Sequence, residues 1–490
     1  MPNYKVLFAT SEAAPLIKTG GLGDVGGSLP AALQQLKQDV RIIMPAYRQI
    51  LADLNDLSIV SLIHINENCV VRLLEGKFPG SKIPLWLVDS PAHFDRNGGP
   101  YGDKHGKDWP DNAERFTVFA KAVEKVAIGL DDLNWQPDVV HCNDWQSGLI
   151  PVLLSQHDER PASIFTIHNL AYQGNFDFGT FEYLRDNFQL SNELWTLHGM
   201  EFHGLFSFMK GGLMFSDMIN TVSPTYAKEI CTEEFGNGLE GLLQHRHDRL
   251  RGILNGVDYT QWNPKTDTLL KYHFDKDDLK GKQQSKRLIQ TYFNLPTEPD
   301  TPLIGMVGRL VEQKGVDLAL EVLPRLIEEH NVQVVLLGSG HKEFENAFQD
   351  LTSRFPYNIG ANIGFSEKLA HQIEAASDIF LMPSRYEPCG LNQIYSLKYG
   401  AVPIVRNTGG LADTVTHLTK KSLQESKASG FVFNEASPNA LYETLENALK
   451  TYQKRDLWNQ LMQTGMSADF SWTHSAKAYI KLYQEAHQHL

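Results

Sequence analysis

The stretch Lys18-Thr-Gly-Gly-Leu-Gly-Asp-Val-Gly26 decides how the rest of the chain is read. Within it, Gly21-Leu-Gly23-Asp-Val-Gly26 has the GxGxxG spacing of a dinucleotide fingerprint. That fingerprint sits directly after a first strand, with an acid at the end of the second. Here residues 11–20 separate the apolar run 4–10 from the glycines, and Asp39 precedes the second run instead of ending it. A nicotinamide site therefore does not fit. Two readings stay open: bare glycine backbone that lets N–H groups, with Lys18, approach a phosphate, or a tight turn feeding a helix. A second loop, Asn407-Thr-Gly-Gly-Leu-Ala-Asp413, echoes the first and points to two similar α/β units.

Working outward, short apolar and β-branched runs alternate with longer helical patterns, as in α/β folds with parallel sheets. Strands are expected at 4–10, 39–44, 82–89, 138–142, 162–168 and 218–222, and again at 303–308, 332–337, 358–364, 378–383 and 401–405. Helices are expected at 111–128, with Asp111 as N-cap, and at 316–329, 367–375, 391–399 and 439–449. Each series suffices for its own sheet. The break is expected within 236–258, which is rich in glycine and charge. This gives domains 1–248 and 249–470 and a terminal segment 471–490.

Composition narrows the function. The 490 residues carry 45 Lys and Arg against 58 Asp and Glu, a net charge of −13 that disfavours nucleic acid and anionic membranes. The four cysteines, Cys69, Cys142, Cys231 and Cys389, form no CxxC pair, which speaks against a disulfide framework or structural zinc and suits a reducing compartment. No secretory signal or membrane-spanning run is visible, so a cytoplasmic protein is expected.

Three further patterns bear on chemistry. Gly308-Arg-Leu-Val-Glu-Gln-Lys314-Gly follows a strand and opens a helix, at the carboxyl edge where open sheets bind ligands. Arg309 and Lys314 form either a diphosphate clamp or two solvated cations. In Pro383-Ser-Arg-Tyr-Glu387-Pro-Cys-Gly-Leu, Glu387 sits at a strand end before a helix start, able to accept hydroxyl hydrogen bonds or simply to complement the helix dipole. Polar groups also end two strands of the first half, in His141-Cys-Asn-Asp144-Trp and Thr166-Ile-His168-Asn. Residues 174–215 hold ten aromatics, which either stack on sugar faces or fill a core. HExxH, GxSxG, Walker A and EF-hand patterns are absent.

Together these motifs resemble the bacterial and plastidial glycogen (starch) synthases. The similarity also takes in Ser11-Glu12, Gly99-Pro-Tyr101-Gly, Asp108-Trp-Pro-Asp-Asn-Ala, Asn220-Thr-Val-Ser-Pro, Gly252-Ile-Leu-Asn-Gly-Val-Asp258 and Phe470-Ser-Trp, and so runs across nearly the whole chain. The resemblance implies an α/β GT-B fold, with two Rossmann-like doubly wound domains facing a deep cleft and a C-terminal helix crossing back to the first. It implies retaining transfer of glucose from ADP-glucose to the non-reducing end of an α-1,4-glucan, glycogen or a maltooligosaccharide, with ADP released. UDP-glucose or a non-glucan acceptor is the alternative. By the same resemblance Arg309 and Lys314 hold the diphosphate, Glu387 binds glucose hydroxyls, and Asp144 and His168 serve the acceptor side. Lys18, Gly20, Gly21, Asp24, Glu12, Tyr101, Asn255, Gly390, Thr408, Gly409 and Gly410 are implied as substrate-binding. No cofactor and no metal are implied. Two departures stand out: Tyr395, where many relatives of the wider class carry a second acid, and His341, where an Asp is common.

Overall fold

Apolar runs long enough to be buried on both faces become the central parallel strands, as covered sheets require. The computed structural model describes residues 2–490. The chain divides into two units, one running to Gly256 and rejoined by Trp472–Leu490, the other Val257–Ser471. The expected boundary at 248/249 thus differs from this division, because 250–252 still pair as an edge strand of the first sheet.

In the first unit the strands are β1 (Lys5–Ala9), β2 (Asp39–Pro45), β3 (Ser58–Asn66), β4 (Cys69–Lys77), β5 (Pro84–Asp89), β6 (Val139–Asn143), β7 (Ala162–Ile167), β8 (Asn175–Phe176), β9 (Glu201–Phe202), β10 (Leu205–Ser207), β11 (Met218–Thr221) and β12 (Leu250–Gly252). Nine form one sheet in the order β12-β11-β7-β6-β1-β2-β5-β4-β3, and β8-β10-β9 form a small second one. Pairing in the large sheet is parallel except for β3 with β4 and β4 with β5. The chain runs from β1 to β2 on one side and returns to β6 on the other, so the topological switch point lies between β1 and β6. Every residue of β6 and β7 is buried. The helix Trp472–His487 lies on this sheet beside the helix Gly21–Gln35, with Tyr479 and Tyr483 packed around His141.

The helix Asn112–Ile128 forms as expected, but Asp111 does not cap it with its side chain. Its carboxylate is taken instead by Arg96, and a bidentate guanidinium pair outcompetes a single backbone N–H.

The second unit holds β13 (Leu303–Val307), β14 (Gln333–Gly338), β15 (Ile359–Ile363), β16 (Ile379–Met382), β17 (Val402–Arg406) and β18 (Phe431–Phe433), in the order β15-β14-β13-β16-β17-β18 and parallel throughout. Its switch point lies between β13 and β16. Helices Val316–Glu329 and Pro438–Tyr452 cover one face through Leu323, Leu326, Leu441 and Leu445. Among the described residues no helix is long and apolar enough to cross a membrane.

Candidate active site

Both switch points carry the polar residues singled out from the sequence, as expected for open α/β sheets. In the first unit, Glu12 follows β1, Asp144 follows β6 and His168 follows β7, on three neighbouring strands. Glu12 is 3% exposed. Its carboxylate accepts from Thr19 N (2.5 Å), Thr19 Oγ1 (2.5 Å), Gly20 N (3.2 Å) and Tyr101 OH (2.6 Å). Its oxygens are thereby spent on fixing the glycine loop. Gly20 ends that loop and Gly21 starts the helix Gly21–Gln35. A Cβ on Gly26 would stand 2.3 Å from Glu12 O, so only glycine lets the helix approach the Glu12–Ala13 backbone this closely. Lys18, half-exposed, pairs with Asp24 Oδ1 at 2.6 Å.

Tyr101 is held from behind. Asn112 Nδ2 donates to its carbonyl at 2.8 Å, and buried Arg115 donates to Pro100 O, His93 O and Asn112 Oδ1. Burial and the nearby Glu12 charge raise the Tyr101 hydroxyl well above its ordinary value, so it stays a donor. Tyr47, just past β2, is buried with its hydroxyl unpartnered, and burial raises its pKa too. Neither Arg115 nor Tyr47 was singled out from the sequence, since nothing in a lone Arg inside a helix or a Tyr after a strand marks such a role.

Asp144 adopts φ 55°, in the left-handed region uncommon for a residue with a Cβ. Its Oδ1 accepts from His168 N at 2.8 Å. Burial raises its carboxyl to about 7, with the Glu12 charge adding and backbone N–H groups opposing. His168 is 9% exposed, and burial lowers its imidazole to about 3. Its Nε2 lies 3.0 Å from Asn143 Oδ1, while Asn143 Nδ2 donates to Ala9 O. An amide oxygen only accepts, so Nε2 carries the proton and Nδ1 keeps its lone pair. His141 is instead a core residue, bonded to Tyr483 OH at 3.0 Å and Thr166 Oγ1 at 2.7 Å. Asn255 is buried, with its Oδ1 unpaired.

The ten aromatics of 174–215 resolve mostly into core. Phe181, Phe206 and Phe208 are buried and, with Phe176 and Trp195, form a run of ring contacts from Trp145 onward. Phe178 and Tyr183 stay exposed.

In the second unit, the turn after β13 brings Lys314 Nζ to 2.5 Å from Glu387 Oε2, which also accepts from Ser384 Oγ at 3.1 Å. Glu387 is buried and Lys314 partly so. Two bonds lock these loops together, Arg385 N to Gln313 O (2.8 Å) and Gln313 Nε2 to Tyr386 O (2.9 Å). Arg309 Nη2 reaches Gln313 Oε1 at 3.3 Å. Gly409, at φ +44°, leaves room where a Cβ would stand 1.9 Å from Glu387 O, and Gly410 N donates to the same carbonyl at 3.1 Å. The Thr408-Gly409-Gly410 turn therefore backs the Glu387 loop, whose last bend is Gly390 at φ +68°. Gln393 Nε2 ties that bend to the next helix through Cys389 O and Gly390 O.

His341 is exposed and stands at the N-cap of the helix Lys342–Arg354 without bonding it through its side chain. Phe365, missed in the sequence, is 89% exposed at the carboxyl end of β15. No group of three or more His, Cys, Asp or Glu suited to a metal ion occurs among the described residues.

The second switch point thus joins two cations to a buried carboxylate, a set able to bind a diphosphate and polar hydroxyls. The first joins a neutral imidazole to a carboxyl of raised pKa.

Comparison with known proteins bears on both halves. The family model described as starch synthase catalytic domain matches residues 5–245, and that of glycosyl transferases group 1 matches 290–462. The chain is 52% identical to the glycogen synthase of Thioalkalivibrio sulfidiphilus over 98% of its own length and 99% of the relative's. It is 50% identical to glycogen synthase 2 of Nitrosococcus oceani, covering 98% and 97%. The catalytic domain of starch synthase IV from Arabidopsis thaliana, solved with ADP and acarbose, superposes with a TM-score of 0.88 at 32% identity over 99% of this chain and 100% of that one. A sucrose-phosphate synthase from Thermosynechococcus elongatus, at 16% identity and TM-score 0.59, shares the fold. The chain is a glycosyltransferase of the GT-B fold and belongs to the glycogen (starch) synthase family.

Proposed function

We propose that the protein transfers glucose from ADP-glucose to the non-reducing end of an α-1,4-glucan, glycogen or a maltooligosaccharide, with retention and release of ADP. The observation that carries this reading is the Lys314–Glu387 contact at the β13/β16 switch point, with Arg309 on the same turn. A departing diphosphate gains negative charge as the C1–O bond to it breaks. Fixed cations aimed at that charge stabilise the transition state more than the ground state. Arg309 and Lys314 take this role, and Lys314 then shares its charge between phosphate and Glu387. Glu387 and the Gly390 and Thr408–Gly410 turns hold the glucose, and the exposed face of Phe365 is available to the base.

On the first unit, Asp144 and His168 serve the acceptor side, with neutral His168 offering its Nδ1 lone pair. Lys18 and Asp24 on the glycine loop complete the substrate contacts, and Glu12 and Tyr101 support that loop. In a same-face transfer the acceptor hydroxyl oxygen bonds to C1, the C1–O bond to the β-phosphate breaks, and the hydroxyl proton passes to the departing phosphate oxygen. The division of labour is then a first unit for the acceptor and a second for the nucleotide sugar, in a protein of the cytoplasm.

The test is nucleotide release from ADP-glucose and UDP-glucose, each with and without glycogen. Release from ADP-glucose that requires glycogen is expected. Preference for UDP-glucose, or turnover without a glucan, moves the chain to another sugar-transfer activity. Trapping a covalent glucosyl-enzyme would replace same-face transfer by double displacement.

A further inference from the structure

Tyr395, the residue standing where many related transferases carry a second acid, is held in an aromatic stack. Its ring lies 3.7 Å from that of Trp262, at an interplanar angle of 2°. The other face of Trp262 is covered by His371 at 3.6 Å and 18°. Three rings packed face to face leave the indole little freedom to tilt.

The stack is anchored as well. Asp267, 2% exposed, accepts from His371 Nδ1 at 2.7 Å and from Tyr399 OH at 2.5 Å. Tyr399 directly follows the helix Asn392–Lys398 that carries Tyr395. The indole plate and the Asp267 carboxylate therefore grip that helix at two points one turn apart. At its other end the same helix is tied to the Glu387 loop, by Gln393 to Cys389 O and Gly390 O, and by Asn392 Nδ2 to Val307 O at the end of β13.

We propose that Trp262 is a positioning residue for Glu387: its ring fixes Tyr395, and through it the helix on which the 387–391 loop is hung. The inference rests on the reading of Glu387 as a donor-site group. A shift of about 1 Å in a positioned group is enough to cost about 100-fold in rate. The aromatic plate also explains why a tyrosine stands at 395. A carboxylate there would face an indole ring and apolar neighbours in place of solvent.

The experiment compares Trp262→Leu and Trp262→Phe in the full chain by three readouts: kcat and KM for ADP-glucose at saturating glycogen, amide hydrogen exchange across residues 387–398, and the thermal midpoint. Trp262→Leu is expected to lower kcat by about 10- to 100-fold, with a smaller change in KM. It should also speed exchange in 387–398 while distant strands of the second sheet keep their protection. Trp262→Phe, which keeps a ring in the stack, is expected to stay within about threefold of the parent in kcat. Unchanged exchange in 387–398, or equal losses in both variants that follow the thermal midpoint, overturns the proposal. If the parent itself releases no ADP from ADP-glucose, the functional reading fails, and the exchange measurement alone decides whether Trp262 positions the loop. Should Trp262→Leu fail to fold, Tyr395→Leu removes the same stack from the other side and is read identically.

Discussion

The two switch points share a topology and differ in electrostatics. At the first, between β1 and β6, burial works against charge on two groups: His168 is lowered to about 3, and the Asp144 carboxyl is raised to about 7. At the second, between β13 and β16, a lysine and a glutamate meet at 2.5 Å. One sheet edge suits a neutral hydroxyl nucleophile, and the other suits an anion that acquires charge. The same fold rule points ligands to both edges, and in the proposed reaction the residues ending the strands set what each edge binds.

Lys314→Ala carries the largest expected effect. Removing one charge-stabilising donor from a transfer site costs about 100- to 1,000-fold in turnover, and kcat with ADP-glucose and glycogen is expected to fall by that much with an unchanged circular dichroism spectrum. Near-normal turnover would remove Lys314 from the leaving-group role. His168→Ala is expected to cost about 100-fold, the low end of the span for a positioned acid–base group, and mostly in kcat. A loss confined to donor affinity would make it a binding residue and blur the contrast between the edges.

Glu12→Gln probes the carboxylate that fixes the glycine loop at the first edge. The amide keeps one acceptor for Thr19, Gly20 and Tyr101, so a loss of about 10-fold, smaller than that of the two variants above, is expected. It should come with faster amide exchange in residues 18–21.

The smallest expected effects concern pH. Asp144 has an ordinary value of 3.8 and about 7 in the fold. Its stabilising protonation is therefore complete below 3.8 and is lost as pH rises through about 7. Denaturation in urea between about pH 5 and about pH 8 should show stability falling less steeply with pH in Asp144→Asn than in the parent. The histidines have the opposite sign. His141 and His168, with an ordinary value of 6.5 and about 3 in the fold, contribute stability above 6.5 that is lost as pH falls toward about 3. Their imidazole resonances should not titrate between about pH 5 and about pH 8.

Much of this architecture was legible in the chain. The central strands β13 and β16 show as continuous apolar runs because both faces are covered, and β1, β6, β7, β14 and β17 as mostly apolar ones. The antiparallel pair β3 and β4 was not, although Asn66 and Asn68 mark its turn. Ser58–Asn66 mixes apolar and polar residues without the strict alternation of a half-buried strand, so no period stood out. Of the candidate residues, those ending parallel strands were legible from the strand-then-polar pattern alone. The supporting shell was not: Arg115 acts through the carbonyls of His93 and Pro100, and Ser384 through one hydroxyl in a loop. Tyr395 stood out as a departure whose meaning needed the Trp262 stack, formed across more than a hundred residues of chain.

Calorimetric titration of ADP into the parent, Lys314→Ala and His168→Ala tests the division between the two edges most directly. Lys314→Ala is expected to weaken ADP binding by about 10-fold or more, the loss of a charge-assisted contact. His168→Ala is expected to leave ADP affinity within about twofold of the parent while turnover falls. Equal weakening in both variants, or a loss confined to His168→Ala, would contradict that division.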